Sequence, residues 1–254
     1  MEKIILSAEN GVYRMGNHIH RPAQPWSTSI KRALAHFEAD GLHVEQIINI
    51  DESEQVSKYI EGEMVHPSKW TDEGLYAAGQ MVAALHKSAE SFKIRQGDIW
   101  QPWCLRKIGD AGNRIICHGD IAPWNTITKG GLPMNVVDWE YTGPLDRLVE
   151  LARVCWLFVQ LYDDDLAQLH NLPSPKKRAE QVRIVADGYG LPPSDRKRLV
   201  SQIIEVIVCE TAEEEAIKPK VTFNTTGNLW GLAWRCRSLW WVWQNKDMLS
   251  RALI

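Results

Sequence analysis

The chain has 254 residues, 44% of them apolar, and a formal net charge of −3; it can bury a sizeable core in one or two domains, and it is not a generally basic nucleic-acid binder. Five scattered cysteines (Cys104, Cys117, Cys155, Cys209, Cys236) form no C-x-x-C pair, which excludes a disulfide framework and a cysteine zinc site and points to a reducing compartment. The start of the chain carries only the short apolar run Ile4–Ile5–Leu6, and no later run approaches the roughly 20 residues that span a bilayer, so the expectation is a cytoplasmic protein without signal peptide or membrane partner.

Residues 1–62 read as a β-rich unit interrupted by one helix. Residues 3–6, 12–15 and 18–21 are short strands, the last two joined by the tight turn Gly16–Asn17. Pro22 and Pro25 break the sheet. Ser27 is the expected N-cap of a helix whose inward face carries Ile30, Ala33, Leu34 and Phe37, and Gly41 ends it. Residues 46–50 and 55–60 form a second hairpin, after which Tyr59–Ile60–Glu61–Gly62–Glu63 begins a new stretch.

From Thr71 the chain turns helical. Leu75, Ala78, Val82 and Leu85 mark the face of a helix ending near Ala89, in which His86 reads as a packed residue rather than a ligand. Residues 90–113 form an irregular connection anchored by Trp100 and Trp103. Pro144 is placed at N1 of a strongly apolar helix running through Leu161. The run Asp163–Asp164–Asp165 reads as a solvated cap, because adjacent side chains rarely converge on one ion. Ser174–Pro175 opens a helix closed by Gly188 and Gly190, and Ser194 opens the next. That helix ends in Glu210, Glu213, Glu214 and Glu215, whose charges oppose the helix dipole. In the last helix, residues 227–245, Trp230, Trp234 and Trp241 share a stripe, suited to core packing or to a cation–π wall for an ammonium group.

Between these helical regions lies the most informative stretch, RIICHGDIAPWNTITKGGLPMNVVDWEYTG, residues 114–143. A short apolar run delivers His118, Gly119 and Asp120 to a strand end, Asn125 follows five residues after Asp120, and Asp138 comes thirteen later. Lys129–Gly130–Gly131 supplies a hairpin turn, which brings Asn125 and Asp138 side by side with Asp120 next to them. Two carboxylates and an amide oxygen suit Mg²⁺, a hard ion that takes a few oxygen ligands from protein. The bland alternative is that Asp120 and Asn125 cap turns and Asp138 ends a strand.

His-x-Asp-x-x-x-x-Asn followed by Asp-Trp-Glu resembles the catalytic and metal loops of the protein-kinase-like fold. HGDIAPWN and VVDWE are similar to those of the aminoglycoside phosphotransferase and choline kinase superfamily, and in GPLDRLVELA, Asp146 and Glu150 match a further family stretch. The resemblance implies a two-lobed α+β fold with a short β-rich N-lobe (1–62) and a mainly helical C-lobe (63–254). It implies Asp120 as catalytic base, Asn125 and Asp138 as Mg²⁺ ligands, and His118 as a brace of the loop. Tyr59 and Ile60 fall at the hinge whose backbone binds the adenine of ATP (or the base of GTP). Arg21 stands where the family carries a phosphate-gripping Lys, with Glu38 as its expected helix partner, and no G-x-G-x-x-G loop is present. The implied activity is ATP- and Mg²⁺-dependent phosphorylation of a hydroxyl on a small, cationic, aminoglycoside-like acceptor, with Glu213, Glu214 and Glu215 on the acceptor side. Two rival readings are a choline/ethanolamine-type kinase and a nucleotide-binding pseudoenzyme with a regulatory role.

Overall fold

The computed structural model describes residues 2–213 and 229–253. β1 (Lys3–Ser7), β2 (Val12–Met15), β3 (His18–Pro22), β4 (Ile47–Ile50) and β5 (Glu54–Lys58) form one antiparallel sheet in the order β1-β2-β3-β5-β4. α1 (Ser27–Ala39) leaves β3 and buries Ile30, Ala33, Leu34 and Phe37, the face its periodicity specifies. It ends in two bonds, from Leu42 N–H to Phe37 O and from Gly41 N–H to Glu38 O, around a Gly41 φ of 83°. This is the Schellman arrangement, which needs a residue tolerant of positive φ. The other end differs from expectation. Trp26 occupies the cap position without a side-chain bond, and Ser27 Oγ accepts from Gln24 N–H (3.0 Å) inside the preceding turn.

The C-terminal part is helical around two small ladders. α2 (Asp72–Ala89) is capped by Thr71 Oγ1, which accepts from Gly74 N–H at 3.0 Å. It packs on α5 (Pro175–Tyr189) at backbone distance. A Cβ on Gly79 would stand 2.3 Å from Val185 O, and one on Gly188 only 2.1 Å from Tyr76 O. Gly188 therefore belongs to the helix as a packing residue, and Gly190, at φ 73°, ends it. Between α2 and the later helices the chain forms short 3₁₀ turns at Cys104–Lys107 and Ala111–Asn113, with Trp103 buried.

β6 (Arg114–Cys117) pairs with β9 (Gly143–Asp146), and β7 (Thr126–Lys129) forms a hairpin with β8 (Leu132–Val136). Pro144 is thus a strand residue opposite Ile116, not the start of a helix. A two-stranded ladder leaves its outer edge unpaired, so the missing proline N–H costs no bond there. α3 (Arg147–Phe158) begins one turn later, capped by Asp146, whose side chain accepts from Leu148 N–H (2.8 Å). Every residue from Leu148 to Phe158 is buried, which makes α3 the central strut of this half.

α4 (Asp164–Leu169) is capped by Asp163. Asp163 and Asp165 also pair with Arg237, so this acidic run is committed to structure. α6 (Pro193–Thr211) starts after Pro192, one residue ahead of the expected Ser194 start. α7 (Leu229–Gln244) and α8 (Lys246–Ala252) close the described chain. In α7, Trp234 stacks on Trp156 of α3 (5.2 Å between centroids) and Trp241 is buried under the Arg178 guanidinium (4.2 Å). These two tryptophans are packing residues, and the Trp230 side chain lies outside the described residues. No helix among the described residues is long and apolar enough to cross a membrane.

Candidate active site

β6 ends at Cys117 and hands the chain to His118, which is buried. Burial lowers the His118 pKa, which favours the neutral ring. The neutral form with hydrogen on Nε2 satisfies both contacts: Nδ1 accepts from Asp120 N–H (3.1 Å) and Nε2 donates to Val137 O (3.2 Å). His118 thereby ties the Asp120 loop to the residue before Asp138. Gly119 adopts φ 90°, and a Cβ there would lie 2.3 Å from Tyr141 O, so only glycine lets the two loops touch. Its N–H donates to buried Glu150 Oε1 of α3 (2.5 Å), while Glu150 Oε2 meets His86 Nε2 at 2.6 Å.

Asp120 has partners on both carboxylate oxygens. Oδ1 lies 2.6 Å from Arg153 Nη2, and Oδ2 accepts from Asn125 Nδ2 at 2.9 Å. Burial pushes the Asp120 pKa up, and Arg153 pulls it back. Asn125 comes from a 3₁₀ turn, Pro123–Asn125. Its Nδ2 also donates to Asp120 O (3.0 Å), which leaves its amide oxygen unused by those bonds. Asp138 follows β8 in left-handed conformation, φ 68°, a strained state for a residue with a side chain. Val137 N–H donates to Asn125 O (2.9 Å), so the hairpin sets Asn125 and Asp138 together as its geometry requires. Both line a cleft of about 770 Å³ that reaches up to the β1–β2 turn (Glu9–Asn10–Gly11), Arg21 and Glu45.

Residues 60–180 match the Phosphotransferase enzyme family. Over 249 residues the chain is 38% identical to the trifolitoxin immunity protein of Rhizobium leguminosarum bv. trifolii, covering 95% of this chain and 94% of that protein. The chain belongs to this phosphotransferase family. Its fold is that of the kinases. An amicoumacin kinase solved in complex with AMP-PNP, Ca²⁺ and Ami superposes with a TM-score of 0.66 at 11% identity, covering 98% of this chain and 87% of that one. A microcompartment-associated aminopropanol kinase gives 0.64 at 13% identity, covering 97% and 92%. The same fold recurs in aminoglycoside phosphotransferases and a choline/ethanolamine kinase family protein.

Within this family frame, Arg21 departs from the expected partner. Glu38 is exposed and receives Gln46 Nε2, whereas Arg21 Nη1 lies 2.9 Å from Asp138 Oδ1. Burial works against the Arg21 charge, but Glu45, Asp138 and Glu140 outweigh it and raise its pKa. Tyr59 and Ile60 do not line the cleft. Tyr59 N–H is engaged with Asn17 O (2.8 Å) and its ring lies under Arg14. Glu213 Oε2 accepts from Cys104 N–H (3.1 Å), and Glu214 and Glu215 lie outside the described residues.

Several site residues escaped sequence reading. Glu45 is buried beside Arg21, and Glu140, two residues past Asp138, lines the same cleft with its pKa raised by burial and by Asp138. Arg153 was missed as well; its partner Glu210, read in the sequence as part of an acidic helix end, is instead buried and paired with it (Nε to Oε1, 2.5 Å) behind Asp120. The available signal for Arg153 was a cation inside an otherwise apolar helix, where burial demands a partner.

The donor set fits a hard divalent ion. Asn125 keeps an amide oxygen free of its own bonds to Asp120, and Asp138 presents a second carboxylate oxygen beyond the one held by Arg21, with half of its side chain exposed to the cleft.

Proposed function

We propose that this chain transfers the terminal phosphoryl group of ATP (or GTP) to a hydroxyl of a small molecule, as an Mg²⁺-dependent phosphotransferase acting on an alcohol group. The observation that carries the reading is the bond from Asn125 to Asp120, with Asn125 and Asp138 together lining one cleft below the N-terminal sheet. In this reading the chain works as a nucleotide-binding lobe, residues 1–62, over a catalytic lobe, residues 63–254. Asp120 accepts a hydrogen bond from the acceptor hydroxyl and takes its proton as the oxygen attacks phosphorus. Asn125 Oδ1 and Asp138 are the groups that would hold Mg²⁺, which when bound neutralises charge on the phosphate oxygens. Among the described residues Arg21 is the one guanidinium in the cleft lining, and it would meet the α/β-phosphates bidentately. Tyr59 and Ile60 would meet the base only if the Tyr59 strand end rearranges.

The acceptor we expect is a hydroxylated, cationic compound of antibiotic type, met in the cytoplasm. A relative named for immunity to trifolitoxin supports the resistance sense of this reading. Glu213 keeps one carboxylate oxygen beyond its bond to Cys104 and can serve an ammonium group, with Glu214 and Glu215 following. A choline-type acceptor held by the tryptophan stripe is disfavoured, because Trp156 covers Trp234 and Arg178 covers Trp241. A second reading, a nucleotide-binding regulator without transfer, is favoured by the ion pair that Arg21 already makes with Asp138. A phosphorylation screen of aminoglycosides, other hydroxylated amines and sugars with Mg²⁺–ATP and Mg²⁺–GTP, read by ³¹P NMR of the products, separates the two. Product formation supports the transferase; saturable nucleotide binding without any product supports the regulator.

A further inference from the structure

We propose that Arg153 is a positioning residue that fixes the orientation of the Asp120 carboxylate and couples it to helix α6 through Glu210. The proposal rests on the phosphotransferase reading for what Asp120 does, and on geometry alone for what Arg153 does.

The guanidinium of Arg153 makes three contacts in three directions. Nη2 lies 2.6 Å from Asp120 Oδ1, Nε donates to Glu210 Oε1 at 2.5 Å, and Nη1 donates to Ile121 O at 3.3 Å. Its Cζ lies 5.7 Å from the centre of the Trp103 ring. Arg153 and Glu210 are 6% and 4% exposed, so neither contact is diluted by solvent. The planar fork reaches two carboxylates and a carbonyl from three separate nitrogens, a spread that the three donors on the single nitrogen of an ammonium do not have.

The placement on α3 matters as much as the bonds. Glu150, three residues earlier and so on the same helix face, accepts from Gly119 N–H. α3 therefore grips three successive residues of the loop: Gly119 through Glu150, and Asp120 and Ile121 through Arg153. Asp120 is held by two bonds on opposite oxygens, from Asn125 and from Arg153. Asn125 alone would leave the carboxylate free to rotate about the Oδ2 contact. With Arg153 added, the plane of the carboxylate is set, and with it the direction in which an acceptor hydroxyl must approach. Glu210 holds the fork from the far side, so a shift of α6 is felt at Asp120.

The test uses the full chain. Arg153→Met alone would leave the buried Glu210 and the half-buried Asp120 without their cation and is liable to unfold. The informative variants are Arg153→Lys, which keeps the charge and loses the fork, and the double variant Arg153→Met/Glu210→Gln, which keeps the stem and removes the excess charge. The double variant is expected to lose about 10²-fold in kcat for phosphoryl transfer, with the KM for nucleotide unchanged, as misplacing a reacting group does. Arg153→Lys is expected to fall between it and the wild type. Side-chain amide NMR signals of Asn125, which report the Asp120 Oδ2 bond without needing turnover, should move in the double variant and move less in the lysine variant.

A double variant with kcat within about threefold of wild type, well short of the loss that misplacement brings, overturns the proposal. So does an unchanged set of Asn125 amide signals in a folded double variant. Should the wild type phosphorylate no acceptor, the phosphotransferase reading falls, and the Asn125 signals still decide the role of Arg153.

Discussion

Asp120 and Asp138 are chemically alike and differ in what surrounds them, so their removal should have separable effects. Asp120 is half-buried and held between Asn125 and Arg153, whereas Asp138 is paired with Arg21. Replacing Asp120 by Asn keeps the shape and removes the proposed proton acceptor. Turnover should fall by roughly 10²–10⁴-fold with nucleotide affinity little changed, measured by steady-state kinetics beside calorimetric titration. Asp138→Ala removes the proposed ligand oxygen and also releases Arg21. Mg²⁺-dependent nucleotide binding should therefore disappear, while a weak Mg²⁺-independent affinity appears as the freed guanidinium meets phosphate. Titrations with and without EDTA test this, and identical isotherms for Asp138→Ala and wild type would remove Asp138 from the metal site.

At the scale of elements, α3 holds the catalytic loop by a buried carboxylate. Burial pushes the Glu150 pKa up, but the hydrogen bonds from His86 and from Gly119 N–H pull it further down, so the net shift is downward. A carboxylate whose folded-state pKa is depressed favours folding in its ionised form. Its contribution is complete above the ordinary glutamate value of about 4.3 and is lost as pH falls through the folded value. Glu150→Gln should lower stability near neutral pH and flatten the loss of stability on acidification below about pH 4.3. Urea unfolding across pH 3.5–7 measures both slopes, and parallel curves for the two proteins would show that Glu150 is not the linked group.

For the molecule as a whole, the net charge of −3 is small, but the cleft concentrates it. Among the described residues, Glu9, Glu45, Asp138 and Glu140 line it against one guanidinium, that of Arg21. A nucleoside triphosphate entering alone meets carboxylates, whereas its Mg²⁺ complex is partly neutralised. Mg²⁺–ATP at about 100 times its Kd should stabilise the folded chain by about 2.7 kcal/mol, and free ATP at the same concentration by far less. Thermal unfolding of the full chain with each ligand makes the comparison, and equal shifts for free and Mg²⁺-bound ATP would contradict a metal-assisted site.

Much of this protein was legible in one dimension because the deciding physics is local. Gly41 ends α1 because only a residue tolerant of positive φ can make the Schellman turn, and the turn after Lys129 forces Asn125 and Asp138 together. The H-x-D-x-x-x-x-N spacing carried the fold family with it, since those residues must share one loop. What the sequence left open depends on pairs far apart in the chain. Residues 143–146 became a strand because β6, nearly thirty residues earlier, was there to pair with them. Arg21 turned from Glu38 to Asp138 because the N-terminal sheet is folded over the Asp138 loop, 117 residues away in sequence. Arg153 found Asp120 and Glu210 because a buried guanidinium has no water to solvate it and must be placed where carboxylates converge. Helix and hairpin periodicities state which face is inward; only the packed structure decides what that face meets.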